Sequence, residues 1–340
     1  MTIMKISEIG ESGIINRIRK RFEKRNQRNK SIVAGIGDDA AALNCCNGRL
    51  LLITTDTIVE NVHFNNRTMT VEQIGRKAMI SNISDIAAMG GIPTFAVVSL
   101  AIPVDNTVKT VDNLYDGMDR VAKRYKVAII GGDTVKSMTN LVITLTLIGK
   151  VSRKHIVFRK NAKVGDKLLV TGTFGDSAAG LDVLSKCKNE IRNRYKPLVK
   201  KHQEPDVRLK EAQIIAENRF ASAMIDSSDG LDVSVRTICS ESNVGARVYT
   251  ERIPLSKELR RFCNDRKGLR NSDRVFKYGL FGGEEYELVF TVAEKKFQKA
   301  LKTIPGSSLI GEIVPFGEGV KYIMDGKAVK IRGESFQHFI

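Results

Sequence analysis

The chain has 340 residues, 42% of them hydrophobic, which is enough to build the cores of two ordinary domains. Its five cysteines include no C-x-x-C pair, so neither a disulfide framework nor a zinc knuckle is indicated, and we expect a soluble cytoplasmic protein. No segment is apolar for long enough to predict a membrane span. The formal net charge of +17 brings polyanions, including nucleic acids, into consideration as partners.

The positive charge is concentrated in two segments, 17–30 and 186–201. In the first, Ile15, Ile18 and Phe22 recur at helical spacing, which predicts an amphipathic helix with a solvated basic face. A nucleic-acid-binding arm is the less favoured interpretation. The aromatic content is only 6%, there is no tryptophan, and no ribonucleoprotein-type aromatic motif occurs.

The hydrophobic pattern predicts mixed strands and helices through the first half of the chain. The expected strands are 50–55, 95–102, 127–130 and 141–148, and the expected helices are 71–89 and 108–124. The first of these helices ends in Gly-Gly-Ile-Pro, where a C-terminal glycine is followed by a helix breaker. The basic segment 152–166 closes on a Gly-Asp turn and indicates a domain boundary, which gives domains 1–150 and 151–340.

The second half of the chain is also predicted to contain mixed strands and helices. The pattern predicts strands over 167–171, 222–225 and 285–291, with helices over 176–186 and from about residue 229 onward. Many strands alternate apolar and polar residues, as antiparallel strands do when one face is exposed. Each half is therefore predicted to be α+β.

Acidic side chains stand beside apolar segments at several places. Three predicted strands run directly into an aspartate, which is Asp56, Asp133 or Asp226. Asp39 lies in a Gly-Ile-Gly-Asp-Asp-Ala-Ala run, and Asp85 lies on an apolar helix. A carboxylate in such surroundings is costly unless it is paired or bound to a metal ion. Oxygen ligands of this kind suit Mg²⁺ or Ca²⁺ better than zinc.

Each aspartate taken alone is as readily explained as the cap of a helix or turn, and Asp229 in particular could cap the helix that follows it. The repetition favours a shared cation, and the hydroxyls of Thr54 and Thr55 could add ligands. Neither a P-loop nor a dinucleotide-binding glycine motif occurs. Phosphate chemistry at such a site would depend on metal ions rather than on a P-loop lysine.

Seven segments, in collinear order along nearly the whole chain, resemble the thiamine-monophosphate kinases. They are Gly-Ile-Gly-Asp-Asp-Ala-Ala (35–41), Thr-Thr-Asp-Thr-Ile-Val-Glu-Asn-Val-His-Phe (54–64), Asn-Ile-Ser-Asp-Ile-Ala-Ala-Met-Gly-Gly-Ile-Pro (82–93), Gly-Gly-Asp-Thr (131–134), Val-Thr-Gly-Thr-Phe-Gly-Asp-Ser-Ala-Ala-Gly-Leu (170–181), Asp-Ser-Ser-Asp-Gly-Leu (226–231) and Gly-Gly-Glu-Glu-Tyr-Glu-Leu (282–288). The set is far more specific than any one member. The resemblance implies phosphorylation of thiamine monophosphate to thiamine diphosphate by ATP.

The resemblance also implies a fold and a set of site residues. The fold is that of the aminoimidazole-ribonucleotide synthetase superfamily, an α+β chain whose N-terminal domain pairs in a homodimer and whose C-terminal α/β domain completes the site. Several Mg²⁺ ions would be held by Asp39, Thr54, Thr55, Asp56, Asp85, Asp133, Asp226 and Asp229. ATP would be contacted by Tyr115, Gly132, Asp133, Arg159 and Ser228. Thiamine monophosphate would be contacted by His63, Glu284 and Phe336, although Phe336 could equally be a C-terminal core aromatic.

The chain departs from the family pattern at two positions. Glu285 stands where an aspartate is common, and Asn61 stands where a glycine is usual, which we expect to shift a loop slightly. Sister enzymes of the superfamily remain alternatives, namely aminoimidazole-ribonucleotide synthetase, selenophosphate synthetase and the hydrogenase maturation factor. The lack of a cysteine before Gly35 argues against the selenium enzyme, and the lack of a terminal cysteine argues against the hydrogenase factor.

Overall fold

The computed structural model describes residues 5–45, 47–265, 271–331, 333–336 and 338–339, without the side chains of 271–273. Within these ranges the first half of the chain forms a six-stranded sheet with three helices. In chain order the elements are α1 (Ile6–Gln27), β1 (Ile32–Ala34), β2 (Ala41–Asn44), β3 (Arg49–Val59), α2 (Val71–Ala88), β4 (Ile92–Pro103), α3 (Val108–Tyr125), β5 (Ala128–Ser137) and β6 (Val142–Ser152). The strand order is β1-β2-β3-β6-β4-β5, and only β4 and β5 pair in parallel.

The second half forms a seven-stranded sheet flanked by helices. Its elements are β7 (Lys167–Thr171), α4 (Asp176–Lys186), α5 (Asn189–Arg194), α6 (Lys196–Gln203), α7 (Leu209–Glu217), β8 (Ala221–Ser227), α8 (Leu231–Ser242), β9 (Gly245–Tyr249), α9 (Lys257–Asn264), α10 (Asn271–Phe281), β10 (Glu287–Val292), α11 (Glu294–Thr303), β11 (Ser307–Val314), β12 (Val320–Met324) and β13 (Lys327–Val329). The strand order is β13-β12-β9-β11-β7-β10-β8. None of the helices in the described ranges combines the length and hydropathy that a bilayer span requires.

Helix α2 lies between the two sheets. One side packs on β3, β4 and β6, and another packs on β8 and α7 of the second half. The helix begins in a reciprocal cap, in which the Thr70 side chain accepts from the N–H of Gln73 and the Gln73 side chain accepts from the N–H of Thr70. Because α2 is covered on both sides, polar side chains on it lie inside the protein, where each needs a partner.

The crossing of α2 and α3 depends on two glycines. A Cβ atom on Gly117 would lie 1.9 Å from the carbonyl oxygen of Glu72, and one on Gly75 would lie 2.0 Å from that of Leu114. The two helix backbones are therefore in direct contact, and no other residue type fits at either position without moving α3.

Three strands continue through the aspartates at which they were predicted to stop. Asp226 lies inside β8, where it pairs with Leu288 of β10. Asp56 lies inside β3, because β6 pairs with β3 over its whole length from Arg49 to Val59. Asp133 likewise lies inside β5, opposite Ser99 of β4. The predicted ends at 55, 130 and 225 were wrong because the apolar run stops before the hydrogen-bonded ladder does. Asp133 lies on an exposed strand face, whereas Asp56 and Asp226 lie on the side that carries the site described below.

Helix α1 confirms the helix predicted in the first basic segment, but its apolar side is not packed. Ile15, Ile18 and Phe22 are 40–43% exposed, and α1 has no buried residue. Its anchor is an ion pair, in which Arg19 Nη1 and Nη2 lie 2.7 and 3.2 Å from the carboxylate oxygens of Glu241 on α8.

The contact of α2 with α3 can be tested with Gly117→Ala. The added methyl must displace the backbone at Glu72, so we expect a loss of about 1–3 kcal/mol in the free energy of unfolding, measured by urea denaturation. Gly317→Ala is the control, because a Cβ there meets nothing within 4 Å. Equal stability of the two variants would contradict the close contact.

Candidate active site

Three aspartates from distant parts of the chain meet in one place. Asp39 lies just before β2, Asp85 lies on α2 and Asp226 lies in β8. One carboxylate oxygen from each lies within 4.8 Å of those of the other two. The cluster therefore draws on both sheets and on the helix between them.

Hydroxyl groups and one guanidinium orient these carboxylates. The Thr54 hydroxyl donates to Asp85 Oδ2 at 2.6 Å, and the Ser84 hydroxyl donates to Asp226 Oδ2 at 2.6 Å. Arg159 Nη2 donates to Asp39 Oδ1 at 2.7 Å, while Asp39 Oδ2 is buried and has no partner among the described residues. A buried carboxylate oxygen without a protein donor is suited to bind a cation.

The pKa values of several of these acids are raised, first by burial and then by their proximity to one another. Burial, followed by the charges of neighbouring carboxylates, raises the pKa of Asp85 and that of Asp226 well above the ordinary value. Burial and then the charge of Asp39 raise the pKa of Asp38 to about 6. Burial also raises the pKa of Asp56, against the opposing hydrogen bond from Ser81.

The cluster fits Mg²⁺. Its ligands are carboxylate and hydroxyl oxygens, which hard divalent cations prefer, and the unpartnered Asp39 Oδ2 gives a coordination position that protein donors do not fill. Asp229 follows β8 on the same side. Burial, followed by the charges of Glu11 and Asp56, raises the pKa of Asp229 against the opposing effect of His338. A divalent ion would offset both the cost of burying these carboxylates and the repulsion among Asp39, Asp85 and Asp226.

Thr55 does not join the cluster in the described chain. Neighbouring residues of a strand point to opposite faces, so Thr54 and Asp56 face α2 while Thr55 faces away. The Thr55 hydroxyl instead accepts from that of Thr146 at 3.0 Å on the outer face of the sheet.

Asp133 also lies apart from the cluster. It pairs with Ser99, which pairs with Thr144, which pairs with Thr57. These three steps between strands amount to about 14 Å, because neighbouring strands are spaced by about 4.8 Å. Asp133 is exposed on the edge strand, so it can reach a ligand only from the outer side of the sheet.

The residues predicted to contact ATP are dispersed. Arg159 lies at the carboxylate cluster, and Ser228 is exposed between Asp226 and Asp229. Tyr115 is half-buried on α3 and packs against the hydrophobic core. Gly132 has a structural reason of its own, because a Cβ there would lie 1.8 Å from the carbonyl oxygen of Val98.

The residues predicted to contact the second substrate do come together. The rings of His63 and Phe336 have centroids 6.1 Å apart, and His338 packs on both, at 5.0 and 4.9 Å. Phe336 is 50% exposed, so it is not a core aromatic. The N–H of Val59 donates to His63 Nδ1 at 3.0 Å, which leaves Nε2 as the protonated nitrogen of the neutral ring. Burial, followed by His338 and then Lys77, lowers the pKa of His63.

The two departures from the family pattern are accommodated locally. Asn61 has φ 63°, the left-handed conformation that glycine favours and asparagine tolerates, so the expected loop shift is not needed. Glu285 is 1% exposed and accepts from the N–H of Ser177 at 2.9 Å at the start of α4. Burial raises the pKa of Glu285 to about 8, and its side chain lies in the interior of the second half.

Sequence reasoning missed a polar stripe on α2. Lys77, Ser81 and Ser84 are buried on this helix, where they pair with Glu284, Asp56 and Asp226 respectively. Their spacing of four and three residues places them on one helix face. A polar stripe of this kind on an otherwise apolar helix was a readable signal.

The comparisons with known proteins first define a class. The model of the AIR synthase related protein N-terminal domain matches residues 37–151, and that of the AIR synthase related protein C-terminal domain matches 163–322. Solved structures of the hydrogenase maturation protein HypE share this fold at low identity. For one from E. coli the TM-score is 0.68 at 20% identity, covering 94% of this chain and 98% of that chain. The chain is an AIR synthase related protein, and the predicted α+β superfamily fold is confirmed.

Closer relatives define the family within that class. Thiamine-monophosphate kinase of Aquifex aeolicus is 35% identical over 336 residues, covering 99% of this chain and 100% of the relative. That of Bacillus subtilis is 36% identical over 276 residues, covering 81% and 82%. A solved structure described as AaThiL complexed with AMPPCP and TMP has a TM-score of 0.84 at 33% identity and covers both chains completely. The chain belongs to the thiamine-monophosphate kinase family.

The repulsion in the cluster can be tested with Asp226→Asn. Since folding raises the pKa of Asp226, its ionisation destabilises the metal-free fold increasingly as pH rises above the unfolded value. In EDTA at pH 8 the variant should therefore be about 0.5–2 kcal/mol more stable than wild type, with a smaller difference at pH 5. Mg²⁺ should raise the melting temperature of wild type more than that of the variant.

Asp166→Asn is the matched control for this measurement. Asp166 is 4% exposed, and its carboxylate accepts from the N–H of Lys163 in a turn outside the cluster. If Asp226→Asn were as destabilising as Asp166→Asn in EDTA at pH 8, the cluster would not be under electrostatic strain.

Proposed function

We propose that this chain catalyses Mg²⁺-dependent phosphorylation of thiamine monophosphate by ATP, giving thiamine diphosphate and ADP in the cytoplasm. The observation that carries the proposal is the convergence of Asp39, Asp85 and Asp226 in a fold shared with a solved nucleotide and TMP complex. Hydroxyl and carboxylate oxygens supply a Mg²⁺ site there, and the His63 and Phe336 rings supply an aromatic surface on the substrate side.

The chemistry is a direct in-line transfer. A terminal phosphate oxygen of thiamine monophosphate forms a bond to the γ-phosphorus of ATP, and the bond from that phosphorus to the β,γ-bridging oxygen breaks. ADP carries away the electron pair. The attacking oxygen is already anionic at neutral pH, so the reaction needs no general base. The obstacle is repulsion between two polyanions, and bound Mg²⁺ ions supply the neutralising charge.

Within this scheme the carboxylates bind and orient the ions. Asp39, Asp85 and Asp226 act directly, and Asp56 and Asp229 extend the set on the same side of the site. Arg159 is paired with Asp39 and presents a planar guanidinium that can also bind phosphate oxygens in a bidentate manner. The exposed ring of Phe336 can stack on the cationic thiazolium or on the pyrimidine.

The metal site is tested by measuring thiamine diphosphate formation with thiamine monophosphate, ATP and Mg²⁺, with and without EDTA. Asp85→Asn should lower kcat by about 100-fold or more, because the developing charge loses a ligand of its counterion. Asp166→Asn should retain turnover. Turnover of Asp85→Asn equal to wild type would refute the metal site, and ATP binding without thiamine diphosphate formation would redirect the search to sister substrates.

We infer that two copies of the chain pair through the outer face of the six-stranded sheet. That face has no helix layer, β5 is an unpaired edge within the described residues, and Phe95 and Val135 on it are 46% and 52% exposed. An open apolar sheet face of this kind marks an association surface. Pairing would also place the outward Thr55 and Asp133 beside a second copy, consistent with their predicted ligand role.

Val135→Asp tests this pairing. The introduced charge should shift the sedimentation coefficient at micromolar concentration from dimer to monomer, because burying an unpaired carboxylate in the interface is costly. Val164→Asp is the control, since Val164 is 59% exposed in the second half, outside the sheet face. A wild-type chain that sediments as a monomer would contradict the inference.

A further inference from the structure

A buried ion pair joins the two halves of the chain next to the substrate group. Lys77 on α2 forms a salt bridge with Glu284, which lies in the loop between α10 and β10. The same ammonium donates to the carbonyl oxygen of His63 at 2.9 Å. One cation from the first half thus holds both His63 and Glu284, the two polar residues assigned to the thiamine side of the site.

The exposed fraction of each side chain shows which of these residues a ligand can touch. The side chain of Glu284 is 29% exposed, whereas that of Lys77 is 1% exposed. His202 Nδ1 lies 3.4 Å from Glu284 Oε2, and its side chain is 3% exposed. A ligand at this surface can therefore touch Glu284, while Lys77 and His202 lie beneath it and cannot be reached.

The backbone around Glu284 is held in an uncommon conformation. Glu284 has φ 64° and Tyr286 has φ 54°, both in the left-handed region that side chains other than glycine seldom adopt. The N–H of Glu284 donates to the carbonyl oxygen of Ser228 at 2.6 Å, and that of Tyr286 donates to Ser227 at 3.0 Å. The loop is thereby tied to the segment after β8, and such strain persists where the surroundings enforce it.

The ion pair also keeps Glu284 ionised. Burial acts to raise the pKa of Glu284, but the charge and hydrogen bond of Lys77 oppose it and the pKa of Glu284 is lowered. Glu284 is therefore a carboxylate at neutral pH. A half-exposed carboxylate beside an aromatic surface suits the amino group or the positive charge of a heteroaromatic ligand.

We propose that Lys77 is a positioning residue for thiamine monophosphate, acting through Glu284 and the main chain of His63. It sets the affinity for this substrate without touching it and leaves the nucleotide and metal site unaffected. The proposal rests on the proposed function, since it assigns the substrate that Glu284 and His63 contact. It also explains why a lysine is buried on α2, where an unpaired ammonium would be strongly unfavourable.

Steady-state kinetics with thiamine monophosphate and ATP test the proposal. Lys77→Met preserves the length of the side chain and removes the charge. We expect KM for thiamine monophosphate to rise by about tenfold or more, with KM for ATP and the Mg²⁺ dependence within about twofold of wild type. Lys167→Met is the matched control, because Lys167 Nζ pairs with Glu294 at 2.6 Å and lies opposite Val292, at the end of β10 away from the Glu284 loop. An unchanged KM for thiamine monophosphate in Lys77→Met would overturn the proposal, as would an equal rise in both KM values.

A double variant separates positioning from folding. Lys77→Met alone leaves the partly buried Glu284 without its counterion and could fail to fold, whereas Lys77→Met with Glu284→Gln removes both charges. In the Glu284→Gln background, adding Lys77→Met should raise KM for thiamine monophosphate by less than in the wild-type background, because Lys77 acts largely through Glu284. Equal effects in both backgrounds would refute this coupling. A wild-type chain that makes no thiamine diphosphate would instead refute the proposed function, so the two failures are distinguishable.

Discussion

Mutual repulsion among carboxylates is the constraint on which the rest of the structure depends. Two ionised groups within 4.8 Å of each other repel by at least about 3 kcal/mol at an effective dielectric constant of about 20. Thr54, Ser84 and Arg159 hold Asp85, Asp226 and Asp39 in this arrangement. The hydroxyl donors are short and rigidly placed, so the protein keeps the carboxylates together instead of letting them turn away. This is the arrangement expected of a site prepared for a divalent cation.

Helix α2 makes this arrangement possible because both sheets cover it. A helix at the surface could turn Lys77 or Asp85 toward water, but here each polar side chain must find a partner inside. The partners come from elements far apart in sequence, namely Asp226 in β8 for Ser84 and Glu284 after α10 for Lys77. Helix α2 therefore carries Asp85 at the metal-binding side of the site and Lys77 at the substrate-binding side.

The sequence predicted which aspartates form the cluster, but it did not predict how the surrounding residues are arranged. Asp39, Asp85 and Asp226 stood out because each lies among small or apolar residues, and the structure brings them together. Thr55 was grouped with Thr54, although the alternation of a strand separates adjacent residues onto opposite faces. Lys77 was overlooked because a lysine on a helix usually reaches solvent. The polar stripe that Lys77 forms with Ser81 and Ser84 could have identified it, and the burial of α2 between the sheets shows that the stripe is enclosed.

The order of strands in the first sheet has a consequence for how the chain assembles. Strand β6 is the last of the six along the chain, yet it lies between β3 and β4. Until residues 142–152 have been synthesised, β3 and β4 have no common neighbour and α2 lacks part of the surface on which it packs. Closure of the sheet therefore depends on contacts of long sequence separation, which form slowly. We expect α2 of an emerging chain to stay partly uncovered until β6 is inserted between β3 and β4, which makes the first sheet a late unit of folding rather than an early one.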